Sequence, residues 1–175
     1  YLNAKLILFK EMLKKNNFII TDKNIPEFKK INKIAKEKKL KTIFIDITKK
    51  DYDLFNFKLI GNFQKKNLIM AIKACELVGL SREKINKSIS KLKSVKGRLE
   101  LVKEFPDQTK VFIDFAHTPG AIETAIIALR LHYKKDVTIV FGCGGERDKN
   151  KRKKIGKIVN RLCNKIFVTD DNPRN

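Results

Sequence analysis

Little in this chain points to an oxidising compartment or to a membrane. Its three cysteines, Cys75, Cys143 and Cys163, are far apart, odd in number and without a CxxC pair. That excludes a disulfide framework and offers no zinc site, and it fits a reduced, cytoplasmic setting. No apolar run approaches the roughly 20 residues that span a bilayer, so membrane insertion is not expected. The start, Tyr1-Leu2-Asn3-Ala4-Lys5, has neither an initiator methionine nor a signal-peptide pattern, and the chain is expected to be cut there. There is no P-loop, and no GxGxxG after a first strand with an acid about 20 residues further on, which counts against a Rossmann-like oxidoreductase. Acids are scarce: 19 Asp and Glu stand against 40 Lys and Arg, for a net charge of +21. Such an excess raises a basic nucleic-acid-binding module as an alternative. The bases are mostly lysine, however, scattered from Lys5 to Lys165 rather than gathered as arginine among aromatics. The excess reads as a solvated surface under codon bias, and no specific nucleic-acid partner is expected.

What is present is enough apolar residue, 42%, to fold. A chain of 175 residues suits one good core or two small ones. Leu2, Leu6, Phe9 and Leu13 recur at helical spacing and lead into a strand at Phe18–Thr21. A second helix, with Pro26 in its first turn and Phe28, Ile31 and Ile34 on one side, leads into a strand at Thr42–Ile47. This alternation predicts an α/β fold with a mainly parallel sheet. A helix from Asn62 closes at Gly79, and Ser81 caps another reaching about Leu92. Periodicity breaks at Ser94–Gly97, the expected domain boundary. Beyond it come strands at Arg98–Phe105 and Lys110–Phe115, a helix from Pro119, a strand at Val137–Phe141, a glycine turn, a helix from about Lys151 and a strand at Ile166–Thr169. The chain then ends with that strand barely finished, and a second truncation is expected.

Three polar clusters fall at the ends of three strands and are expected together along one edge of a sheet, where open α/β sheets collect ligands. In Asp114-Phe115-Ala116-His117-Thr118-Pro119, the acid can accept two ribose hydroxyls and the histidine can face the same ligand. Equally, Asp114 can cap the following helix while His117 bonds to the backbone. The turn Gly142-Cys143-Gly144-Gly145-Glu146-Arg147-Asp148 opens a helix, where amides and the helix dipole attract anions and Arg147 can clamp a carboxylate. Its glycines can also be plain turn formers. Asp170-Asp171-Asn172-Pro173-Arg174 can bind a zwitterionic amino acid, acids to ammonium and arginine to carboxylate; the alternative is an ordinary polar loop.

Taken in order with Gly97-Arg98-Leu99-Glu100, these segments resemble the Mur ligases, in particular their diaminopimelate-adding branch. Tyr1–Lys5 with Leu8-Phe9, and Gly61-Asn62-Phe63 with Asn67-Leu68, resemble the central domain of the same family, so the resemblance covers essentially the whole chain. It implies that residues 1–94 are the later part of the central ATPase domain and 95–175 the first part of a Rossmann-like C-terminal domain. The family's P-loop lysine and magnesium ligands would then lie before Tyr1, so the catalytic residues are unknown, no metal ligand is expected here, and the chain alone is expected to be inactive.

The resemblance further implies an ATP- and Mg2+-dependent amide ligase of peptidoglycan synthesis. Its partners would be UDP-N-acetylmuramoyl-L-alanyl-D-glutamate and meso-diaminopimelate, joined through an acyl phosphate. Another member of the family, or a lysine-adding homologue, is the alternative. Carried over by position, Asn67 is expected near the adenine, Arg98 near the terminal phosphates, Asp114 on the ribose and His117 beside the nucleotide. Arg147, Asp171, Asn172, Pro173 and Arg174 are expected around diaminopimelate. Lysine-adding members lack the arginine of Asp-Asn-Pro-Arg, so Arg174 with Arg147 is expected to grip the distal carboxylate that lysine does not have. Two positions depart from the family pattern: Gln64, where asparagine is usual, and Phe115, where tyrosine is usual.

Overall fold

The computed structural model describes residues 1–47, 59–145 and 148–173. The chain divides into two compact units, Tyr1–Phe57 with Phe63–Leu92, and Lys58–Asn62 with Lys93–Asn175.

In the first unit, α1 (Leu2–Ile7) runs into a π-helical turn at Leu8–Met12. Strands β1 (Phe18–Asp22) and β2 (Lys41–Ile45) pair in parallel, from Phe18 opposite Lys41 to Asp22 opposite Ile45. The connection between them is α2 (Phe28–Glu37), which buries Ile31, Ile34 and Ala35, one face of a helix by their spacing. With Leu6, Ile19 and Leu40 these residues form the core, fringed by Leu2, Phe9, Leu13 and Ile25. The end of α2 is sealed by bonds from Lys39 N–H to the Lys36 carbonyl (3.1 Å) and from Leu40 N–H to the Ala35 carbonyl (2.8 Å), with Lys39 left-handed at φ +53°. The first helix is shorter and β2 stops earlier than their hydrophobic patterns predict. Helix α3 (Asn62–Leu77) buries Gln64, Ile69 and Ile72, and it ends at Gly79 in the left-handed region, φ +87°. Ser81 then caps α4 (Arg82–Ile89) by accepting from Lys84 N–H.

In the second unit, β3 (Glu100–Glu104) and β4 (Lys110–Ile113) form an antiparallel hairpin with an irregularity between Leu101 and Lys103. Helix α5 (Pro119–Tyr133) follows, capped by Thr118. Then come β5 (Thr138–Phe141), α6 (Asn150–Leu162) and β6 (Lys165–Val168). β5 and β6 pair in parallel, with Phe141 opposite Val168, and Ile122, Ile126, Ile155 and Val159 of the two helices make the core. Ion pairing of Arg161 with Glu123, and a bond from Arg130 to the Leu162 carbonyl (2.7 Å), fasten α5 to α6. The side of the strand pair away from the helices is open: Val140 and its register partner Phe167 are both exposed.

The fold is α/β, but the expectation that three strand ends share one sheet edge needs correcting. Among the described residues, β4 pairs only with β3, while β5 and β6 form a sheet of their own. The short turn at Pro106–Thr109 accounts for the hairpin. Phe105 N–H donates to the Thr109 carbonyl (2.8 Å) and Gln108 takes the left-handed conformation, so β4 folds straight back on β3. No helix of the described residues is long and apolar enough to cross a membrane.

Candidate functional site

The sequence clusters of the second unit converge around the first turn of α6. Beyond β5 and β6, the glycine turn and the segment after Val168 are stitched together. Thr169 N–H donates to the Phe141 carbonyl (3.0 Å) and Gly145 N–H to the Asn172 carbonyl (3.1 Å). A side chain on either glycine has no room. A Cβ at Gly142 would lie 2.6 Å from Asp171 Cβ and from the Thr169 carbonyl oxygen, and one at Gly145 would overlap the Pro173 carbonyl. These glycines therefore permit a close backbone approach, a stronger requirement than forming a turn. Asn172 is left-handed, φ +47°, which asparagine tolerates. Asp170, Asp171, Asn172 and Pro173 all remain exposed. Arg147 and Arg174 lie outside the described residues.

Two basic side chains that sequence reading passed over link this seam to the Asp114–Pro119 loop. Lys151 Nζ donates to the His117 carbonyl (3.3 Å), and Arg152 donates to the Gly144 carbonyl (3.4 Å). Their only sequence signal is a place in the first turn of a helix after a glycine turn, drowned by the other bases of α6.

The Asp114 loop is ordered by its own acid. Asp114 Oδ1 accepts from Ala116 N–H (2.8 Å) and Oδ2 from Leu99 N–H (2.8 Å). The helix cap falls to Thr118, whose hydroxyl accepts from Ala121 N–H, so Asp114 is not the cap considered from sequence. His117 Nδ1 meets the Phe115 carbonyl at 3.1 Å. A carbonyl only accepts, so Nδ1 carries the proton and Nε2 is left as an acceptor in the neutral ring. The imidazole is exposed and stands edge-on to the Phe115 ring, 5.6 Å between centroids. Arg98 places its guanidinium 5.2 Å from the centroid of the same Phe115 ring, a cation–π distance. The second unit thus offers one exposed cation, one imidazole and one half-buried carboxylate over a short stretch of surface, a set suited to a polar, anionic ligand.

Asn67 belongs to the first unit, where it is exposed on α3, one residue after Lys66. Lys66 ion-pairs with Asp22 at the end of β1, and Asn24 N–H donates to the same carboxylate at 2.8 Å. Those partners hold the Asp22 carboxyl below its ordinary value, the Lys66 bond first among them, against the opposing effect of burial. Gln64, at the position where asparagine is usual, is buried. Among the described residues no three His, Cys, Asp or Glu are grouped to hold a metal ion. A basic concavity lined by Arg130, Lys134, Lys135 and Asp136 lies at the far end of α5 from the His117 loop.

Residues 97–175 match the Mur ligase, glutamate ligase domain family. The chain is 37% identical to the UDP-N-acetylmuramoyl-L-alanyl-D-glutamate--2,6-diaminopimelate ligase of Rickettsia bellii, across 99% of this chain and 41% of that protein. It is 41% identical to the ligase of the same name from Vibrio vulnificus, across 66% of this chain and 23% of that protein. A solved structure of a ligase of that name superposes with a TM-score of 0.60 at 25% identity, covering all of this chain and 40% of the other. The folylpolyglutamate synthase of Mycobacterium tuberculosis complexed with ADP shares the fold at 15% identity, with a TM-score of 0.68 over 87% of this chain and 38% of that one. The chain therefore spans about two fifths of the length of the relatives that it matches from end to end.

Proposed function

The chain belongs to the Mur ligase family, and we propose that it serves an ATP-dependent amide ligase which adds meso-diaminopimelate to UDP-N-acetylmuramoyl-L-alanyl-D-glutamate in cytoplasmic peptidoglycan synthesis. On this reading residues 1–94 are the later part of the central ATPase domain and residues 95–175 the opening of a Rossmann-like ligase domain. The observation that carries the reading is the seam between Gly142–Gly145 and Thr169–Pro173. It aligns two polar loops in a chain that is 37% identical to a diaminopimelate ligase.

The reaction moves the γ-phosphoryl group of ATP onto the D-glutamyl carboxylate, giving an acyl phosphate and ADP. An amino group of diaminopimelate then attacks the acyl carbon, phosphate leaves, and the amide forms as the amine loses a proton. Positioning and charge stabilisation supply most of the catalysis in such phosphoryl transfers. Arg98, exposed and stacked on Phe115, suits the terminal phosphates. On this reading His117 would offer Nε2 to the nucleotide, Asn67 its amide to the adenine and Asp114 its carboxylate to the ribose. Magnesium would neutralise the phosphates, and no described residue is assigned to it.

For the amino acid, Asp171 and Asn172 suit the ammonium groups, and Pro173 stiffens the segment that carries them. Arg147 and Arg174 would pair with the distal carboxylate. The test is Arg174→Ala in a full-length diaminopimelate ligase carrying this segment. Loss of a charge-assisted pair of this kind costs roughly 2–5 kcal/mol, so kcat/KM for diaminopimelate is expected to fall about 30-fold or more while the KM for ATP holds. Unchanged use of diaminopimelate with weaker ATP binding would move Arg174 to the nucleotide site. Preference of the unsubstituted enzyme for lysine would favour the lysine-adding alternative.

A further inference from the structure

Asp114 closes β4 with both carboxylate oxygens engaged by the main chain, and one of those bonds reaches back to the turn that presents Arg98. That turn is constrained at every residue. Gly97 has φ +67° and Leu99 φ +45°, a region unfavourable for a branched side chain. The Leu99 side chain is 3% exposed, so the conformation is anchored from inside. Gly97 N–H donates to Glu100 Oε2 at 2.7 Å, and the Gly97 carbonyl accepts from Phe115 N–H at 2.8 Å. Arg98 N–H donates to the Val95 carbonyl at 2.9 Å. The backbone on both sides of Arg98 is thus tied to Asp114 and Phe115, and its guanidinium lies over the ring of the latter.

We infer that Asp114 is a positioning residue for Arg98: its carboxylate locks Leu99 in the left-handed conformation and so aims the guanidinium, and its influence on the reaction runs mainly through Arg98 rather than through the nucleotide sugar. The inference rests on the assignment of Arg98 to the phosphates made above. A carboxylate has about four acceptor sites, so a ribose hydroxyl can still bind there. Removing the carboxylate, however, frees the turn whether or not a sugar is present.

Two measurements test it. The first follows amide hydrogen exchange in the 175-residue chain. Asp114→Ala is expected to speed exchange at Leu99 and Ala116 by about tenfold or more, since each loses a bond to a charged acceptor. Asp114→Asn retains one accepting oxygen and is expected to release only one of the two amides, which keeps the test valid should the alanine variant fold poorly. An unchanged Leu99 amide in both variants would overturn the inference.

The second is a cycle of variants in a full-length diaminopimelate ligase of the family carrying this segment. Asp114→Ala and Arg98→Ala are each expected to lower kcat more than they raise the KM for ATP. The double variant is expected within about twofold of Arg98→Ala alone, because residues acting through one another are not additive. Replacing ATP by its 2′,3′-dideoxy analogue is expected to cost the unsubstituted enzyme and Asp114→Ala the same factor. Multiplicative losses in the double variant, with Asp114→Ala indifferent to the sugar hydroxyls, would assign Asp114 to the ribose and overturn the inference. A carrier ligase that makes no product with this segment would count against the proposed function, while the exchange data still decide the clamp.

Discussion

The ammonium of Lys66, early in α3, ion-pairs with Asp22, the last residue of β1, whose side chain is only 5% exposed. A buried carboxylate depends on such a partner, since an isolated charge is costly out of water. Here the partner sits beside Asn67, so a pair that stabilises the first unit also fixes the part of α3 assigned to the adenine.

Lys66→Met is expected to destabilise the first unit by about 2 kcal/mol near neutral pH, a figure discounted because the lysine keeps about a third of its exposure. The sign with pH follows from the direction of the Asp22 shift. Its carboxyl is held below the ordinary 3.8, so its contribution is present above that value and is lost as pH falls through the lower folded value. Urea unfolding at a series of pH values should show the gap between parent and variant narrowing below about pH 4. A gap constant with pH would mean that the pair adds nothing beyond packing.

The two glycine contexts of the second unit predict opposite signs. Gly145→Ala drives a methyl into the Pro173 backbone and is expected to lower stability by about 1–3 kcal/mol. Gly156 lies inside α6, and a Cβ placed on it would meet nothing within 4 Å, so Gly156→Ala is expected to stabilise by about 0.5–1 kcal/mol. Thermal unfolding of both variants checks the pair. Equal shifts for the two would contradict the close approach at Gly145.

Burial pushes the Cys163 thiol up, with Arg130 pulling in the opposite direction. Alkylation at about pH 8 is therefore expected to be slower at Cys163 than at a cysteine in an unfolded peptide, because the thiolate is the reacting form. Mass mapping after a short exposure to iodoacetamide measures this, and labelling at the peptide rate would refute it.

The lysine excess predicts weak, non-specific binding to random duplex DNA. Its affinity should collapse as salt rises toward about 200 mM. Titrations at two salt concentrations suffice; sequence-selective binding that survives the higher one would revive a nucleic-acid role.

What can be read from sequence is whatever local chemistry dictates. Ser81 caps the helix that follows it, and Gly79 ends α3. The polar clusters are legible as clusters, because glycine, acid and base at strand ends are visible as residue types. Their partners are not. Asp114 shows two acceptor oxygens in sequence, but that one of them reaches Leu99 depends on how β3 and β4 register. Lys151 and Arg152 are hidden among like-charged neighbours, and Lys66 looks like any surface lysine until the α3 fold sets it against Asp22. Periodicity locates the strands without saying which will pair, so the common edge expected of β4, β5 and β6 gives way to a hairpin of β4 with β3.

The open side of β5 and β6 bears on how the chain behaves in a test tube. Val140 and Phe167 are 67% and 56% exposed on that side, and β6 pairs, among the described residues, with β5 alone. A short apolar edge strand is a template on which another copy can add a strand, and β-rich segments with few charges are the usual seeds of aggregation. The high net charge works against this at low ionic strength by mutual repulsion, and salt removes that protection. Concentrated stocks of the isolated chain should therefore keep best in dilute buffer. A lysine in place of Phe167 would extend their shelf life in saline.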